Sequence, residues 1–103
     1  MINIRETADF KLWLKELKDK AGRAIILVRI NRLALGNPGE YEYLGDKVTE
    51  LKIRHGPGYR LYYTKKDNSL IILLCGGDKS SQQSDIQKAK NMVKHLEDYY
   101  ENN

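Results

Sequence analysis

The chain of 103 residues has room for one domain, residues 1–103. Its mean hydropathy of −0.63 and longest apolar run, residues 70–75, exclude a membrane-spanning helix, which needs about 20 apolar residues. The net charge is +4, from 18 Lys+Arg against 14 Asp+Glu, and the single cysteine, Cys75, excludes an internal disulfide and points to a reducing, cytoplasmic compartment.

The opening MINIRETADF carries acids and no apolar segment, so no secretory leader is expected; residues 2–5 suit an edge strand. Thr7 is placed to cap a helix, with Asp9 in its first turn. Phe10, Trp13, Leu14 and Leu17 then recur at i, i+3, i+4 and i+7, the period of one buried helical face. A tight break at residues 19–20 precedes a second helix over 21–35, ended by Gly36 and Pro38. Two helices so closely joined predict an antiparallel hairpin. The period then drops to two. Residues 40–44 read as a strand, and residues 47–54 place Thr49, Leu51 and Ile53 on one face and Glu50, Lys52 and Arg54 on the other. His55-Gly56-Pro57-Gly58 is a loop. Residues 59–65 alternate again, Tyr59, Leu61 and Tyr63 against Arg60, Tyr62 and Thr64, and 67–68 predicts a hairpin turn. The uninterrupted apolar run 70–75 fits a central strand covered on both faces, ended by Gly76-Gly77. Ser81 or Ser84 then caps a helix with Ile86, Ala89, Val93, Leu96 and Tyr100 on one face. The expected fold is α+β: an N-terminal helical hairpin packed on a mostly antiparallel, twisted sheet of four to five strands, plus a C-terminal helix.

The charge is unevenly spread. Residues 47–66 hold Lys47, Lys52, Arg54, Arg60, Lys65 and Lys66 against Glu50 alone, while the rest of the chain is close to neutral. Such a concentrated basic segment points to an anionic partner. If Leu51, Ile53 and Leu61 face the core, Lys52, Arg54 and Arg60 share the other face, with His55 at its rim and Lys79 within reach after the Gly-Gly-Asp turn. Guanidinium forks in such a cluster suit phosphate. His55 and His95 lie far apart in sequence, and one cysteine supplies no ligand pair, so no metal site and no cofactor are expected. A Walker-type phosphate loop is absent too.

The segment ELKIRHGPGYRLYYTKKDNSLIILLCGGDKSSQQSDIQKAK carries a resemblance. Glu50-Leu51-Lys52-Ile53-Arg54, Gly56-Pro57-Gly58-Tyr59-Arg60, and Gly76-Gly77-Asp78-Lys79 followed by Gln82 and Asp85-Ile86 resemble the RelE/ParE toxin superfamily, in particular the phage-derived addiction-module killer proteins of HigB type. WLKELKD, RINRLALGNPG and LGDKVTELKI fit as well, and the likeness runs over about residues 7–95. It implies the toxin of a type II toxin–antitoxin system: a RelE-like endoribonuclease (an mRNA interferase) that cuts mRNA on the ribosome and is neutralised by a small helix-turn-helix antitoxin encoded beside it. By the match, Lys52, Arg54 and Arg60 hold the scissile phosphate, with Lys79 near a further basic position. Some relatives stack a C-terminal tyrosine on the substrate base. Tyr99 and Tyr100 lie beyond the predicted helix and do not take that role, and Tyr62, on the Arg60 face, is the substitute considered.

The implied reaction, attack of the ribose 2′-hydroxyl on the neighbouring phosphate, needs no metal. It requires a proton acceptor, charge stabilisation and a proton donor. Arginine remains protonated and is a poor base. Three proton-transfer candidates stay open: His55, Glu50, and Lys52 with its pKa lowered by neighbouring charge. Lys47, Lys65 and Lys66, with Lys11, Lys15 and Lys18, are candidates for docking on ribosomal RNA. Two other functions fit the same fold, a ParE-like DNA gyrase poison and a non-catalytic antitoxin-binding relative.

Overall fold

A computed structural model describes residues 1–96. The elements in chain order are β1 (Asn3–Glu6), α1 (Ala8–Glu16), α2 (Lys20–Ala34), β2 (Tyr41–Tyr43), β3 (Thr49–Ile53), β4 (Tyr59–Asp67), β5 (Leu70–Gly77), a 3-10 turn (Lys79–Ser81) and α3 (Gln82–Lys94). The five strands form one sheet in the order β1-β5-β4-β3-β2. β2, β3, β4 and β5 are joined antiparallel, and β1 closes the far edge parallel to β5. The α+β architecture expected from sequence is therefore present, with the strand at residues 2–5 realised as β1.

Local chemistry explains where the elements start. The Thr7 hydroxyl accepts from the Phe10 N–H (3.1 Å) and donates to the Leu74 carbonyl (2.6 Å), so one side chain caps α1 and ties it to β5. Asp19 caps α2, accepting from the Gly22 N–H at 3.0 Å. Gly36, at φ +87°, supplies the left-handed residue after α2.

Several boundaries differ from those expected. β3 begins at Thr49 because Asp46 and Lys47 take positive φ (52° and 64°) in the preceding turn. β4 runs on to Asp67, whose carboxylate accepts from the Ser69 N–H and hydroxyl (2.7 and 2.6 Å), moving the turn one residue later. β5 continues through Gly76 and Gly77, which pair with Leu61 and Arg60. The absent side chains leave room there: a Cβ on Gly76 would collide with the Trp13 ring, and one on Gly77 with the Asp85 carboxylate. Ser81, one of the two expected caps, is the N-cap residue of α3, though its side chain makes no capping hydrogen bond; the side-chain cap falls earlier, where Asp78 forms a capping box with Ser81 on the 3-10 turn. Tyr99 and Tyr100 lie outside the described residues.

The sheet is covered on both sides. Phe10, Ile26 and Leu33 of α1 and α2 pack with Leu51, Ile53, Tyr59, Leu61, Tyr63, Ile71 and Leu73. On the opposite face α3 contributes Ala89, with Leu96 beyond it, against Val48, Tyr62, Ile72, Leu74 and Cys75. A β-bulge between Tyr62 and Tyr63 in the β4–β5 pairing leaves Leu74 without an opposite residue, so Leu74 and Cys75 both serve the α3 side. The run of residues 70–75 is apolar throughout because helices lie over both of its faces. Among the described residues no helix is long and apolar enough to cross a membrane.

Candidate active site

Lys52 and Arg60 are opposite one another in the β3–β4 register, as are Glu50 and Tyr62, so all four side chains leave the same face of the sheet. It is the α3 face, and α3 divides the four. Under the helix, Glu50 is 1 % exposed and Tyr62 is fully buried. Beyond the helix end, Lys52 and Arg60 reach a cleft of about 360 Å³ lined by Lys52, Arg54, His55, Tyr59, Arg60 and Lys79 with the backbone of the 55–58 loop. Lys52 and Arg60 share a face as the alternation predicts, but sequence alone leaves that whole face open, because α3 could not be placed over half of it.

Each lining residue is held by a separate device. The loop turns at Gly56 and Gly58 (φ +54° and +79°), closed by a bond from the Gly58 N–H to the His55 carbonyl at 3.0 Å. Gly58 is squeezed between the two later cations. A Cβ there would lie 3.1 Å from Arg60 Nη1 and 3.6 Å from the Lys79 Cβ, and Arg60 Nη1 donates to the Gly58 carbonyl at 2.6 Å. The 3-10 turn presents Lys79, whose N–H donates to the Pro57 carbonyl at 3.4 Å. His55 Nε2 lies 3.6 Å from Asp19 Oδ2, and Tyr59 donates to the same oxygen at 2.8 Å. The Gly22 N–H, the Tyr59 hydroxyl and, more weakly, His55 hold the Asp19 carboxyl below its usual pKa, so a carboxylate stands behind the imidazole. Burial, with Asp19 adding to it, pushes the Tyr59 hydroxyl up to about 12, so it remains a donor.

Glu50 is enclosed. Its Oε2 accepts from the Tyr62 hydroxyl and from Gln82 Nε2, both at 3.0 Å. Arg60 Nε lies 3.7 Å from the same oxygen, and Lys52 Nζ 4.0 Å from Oε1. Arg60 Nε is buried and makes no hydrogen bond of its own, so Glu50 is the anion that compensates it. Glu50 was a candidate base in sequence. Its burial and full set of partners fit a brace beneath the cations instead. Tyr62 was a candidate stacking residue; it is buried, its hydroxyl is pushed up by desolvation and by Glu50, and its ring has no exposed face to offer a base.

Two acids that sequence reasoning missed reach in from the neighbouring edge strand. Glu42 of β2 accepts from Lys52 Nζ at 3.0 Å. Glu40, just before β2, grips the Arg54 guanidinium with both oxygens at 2.7 Å, and this pairing lowers the Glu40 pKa and raises that of Arg54. The β2–β3 register, Glu42 opposite Glu50, puts the acid on the cation face. Arg29 of α2 fixes this edge by donating to the carbonyls of Pro38 (2.9 Å), Glu40 (3.2 Å) and Lys52 (2.8 Å).

The remaining cations predicted from sequence fall elsewhere. Lys47, Lys65 and Lys66 line a second cleft with Thr64, Val93 and Leu96, toward the C-terminal end of α3. Cys75 is buried, and burial pushes its thiol up to about 12, which leaves no nucleophile there.

A small α+β domain with a cationic, histidine-bearing cleft at one end of its sheet is the class that fold and site define. The chain belongs to the family described as phage-derived Gp49-like protein (DUF891), which matches residues 9–94, a family associated with toxin–antitoxin systems. It is also 44 % identical over 95 residues to an uncharacterized protein of Haemophilus influenzae, covering 92 % of this chain and 96 % of that protein.

Proposed function

We propose that this protein is the toxin of a type II toxin–antitoxin system and acts in the cytoplasm as a ribosome-dependent mRNA endoribonuclease of RelE/HigB type, without a metal cofactor. The observation that carries the reading is the convergence of Lys52, Arg54, His55, Arg60 and Lys79 on one cleft. Family membership adds the toxin context.

The 2′-oxygen of the substrate ribose attacks the adjacent phosphorus. The P–O2′ bond forms, the P–O5′ bond breaks, and a 2′,3′-cyclic phosphate and a 5′-hydroxyl result. His55, whose imidazole is oriented by Asp19, takes the 2′ proton. Arg60 and Arg54 hold the phosphoryl oxygens as charge builds on them. A lysine of the cleft, Lys52 or Lys79, supplies the proton to the leaving 5′-oxygen. Glu50 fixes Arg60 from beneath. The second cleft, with Lys47, Lys65 and Lys66, suits phosphates of the ribosomal RNA that carries the message, and such contacts weaken with salt. The partner that silences the toxin is a small helix-turn-helix antitoxin encoded beside it.

The test is Arg60→Ala. In a translating extract it lowers cleavage of ribosome-bound mRNA by about 100-fold or more, as loss of a transition-state donor does, and it relieves growth inhibition. Full cleavage by the variant overturns the assignment. Wild-type protein that triggers DNA damage signalling without cutting mRNA is a gyrase poison instead; one that does neither but binds its antitoxin is a non-catalytic relative.

A further inference from the structure

The cleft is not an open cationic surface. Lys52 is bound to Glu42, and Arg54, 81 % exposed, is clamped by both oxygens of Glu40. Both acids come from one edge segment, which Arg29 pins to β3 through three backbone carbonyls. A carboxylate seated on a guanidinium fork occupies the donors that a phosphate would use. Because β2 is tied in place, these two carboxylates stay beside the cations after a phosphate arrives, and they repel it.

We propose that Glu40 and Glu42 form a built-in carboxylate gate. They stand in for phosphate on Arg54 and Lys52, and they set the threshold at which single-stranded RNA enters the cleft. Free RNA must displace two ion pairs and is held poorly. RNA already positioned by a larger assembly loses little further freedom on entering and overcomes the gate. The pairs are individually weak, since exposed ion pairs contribute little each, so the gate is a graded filter. This inference rests on the reading of the cleft as an RNA phosphate site, and it names the residues that make that site selective.

The probe is a 2′-O-methyl single-stranded RNA, which lacks the attacking hydroxyl and reports binding alone. Its affinity for the full-length protein is measured by fluorescence anisotropy at fixed ionic strength. The double variant Glu40→Gln/Glu42→Gln is expected to bind about 10-fold more tightly than wild type. Glu6→Gln/Glu16→Gln makes the same change in net charge away from the cleft and controls for general attraction to RNA. A double variant that binds no better than this control overturns the gate. Arg60→Ala separates that failure from failure of the underlying reading. If Arg60→Ala weakens binding while the gate variant does not tighten it, the cleft holds phosphate and the gate is refuted. If Arg60→Ala leaves binding unchanged in both backgrounds, the cleft does not hold RNA and the gate falls with it. Melting curves on each variant confirm that the fold is retained.

Discussion

Replacing Glu50 by glutamine keeps the shape of the side chain and removes its charge. In the folded protein its carboxylate lies 3.7 Å from Arg60 Nε, and Arg60 is only 14 % exposed. At an effective dielectric near 20, two unit charges at that distance attract by about 4.5 kcal/mol. Desolvation of the buried carboxylate offsets part of this, and removing one partner leaves the other charge poorly compensated, so the expected loss of stability is about 2–3 kcal/mol. For a domain of this size each kcal/mol shifts the melting midpoint by roughly 4–8 °C, giving a fall of about 10–20 °C in thermal denaturation followed by circular dichroism. The glutamine oxygen still accepts from Tyr62, so a loss this large reports the charge rather than the hydrogen bond. Cleavage measured below the variant's melting range is expected to fall only in proportion to the misplacement of Arg60. A variant that melts within about 3 °C of wild type yet cuts no mRNA refutes the reasoning and makes Glu50 the reacting base.

Other outcomes follow from the geometry. Gly76→Ala drives a methyl group into the Trp13 ring and is expected to cost about 1–3 kcal/mol, read as a lower denaturant midpoint with an unchanged slope. Asp19 carries a pH signature. Its pKa in the folded state lies below the ordinary 3.8, so its contribution to stability is complete above that value and is lost as pH falls through the lower, folded one. Asp19→Asn is therefore expected to flatten the acid limb of a stability profile below about pH 4, and an unchanged limb contradicts the capping and Tyr59 contacts assigned to it.

Much of this fold is legible in the sequence because its patterns are local. The i, i+3, i+4, i+7 spacing of Phe10, Trp13, Leu14 and Leu17 and the alternation of Leu51 and Ile53 against Lys52 need no knowledge of distant residues. The pairing of Lys52 with Arg60 is legible as well, since a short loop joins their strands. What sequence conceals is long-range. Nothing near Glu50 or Tyr62 announces that α3, which begins only at Gln82, buries them. The alternation that puts Glu50 beside Lys52 is correct, and only the covering helix changes its environment from surface to interior. Glu40 and Glu42 are equally invisible as site residues, because their segment reads as a short edge strand and their partners lie 14 and 10 positions away, respectively.

The parallel pairing of β1 with β5 fixes the order in which the sheet is able to close. Asn3–Glu6 pairs with residues 70–73, and the Thr7 hydroxyl donates to the Leu74 carbonyl. In order of synthesis β1 therefore waits for β5, the last of the described strands, before the sheet closes, a separation that slows folding. Lys79, which lines the cleft, is made later still. A chain synthesised only through β4 thus holds neither a closed sheet nor the full set of cations that line the cleft.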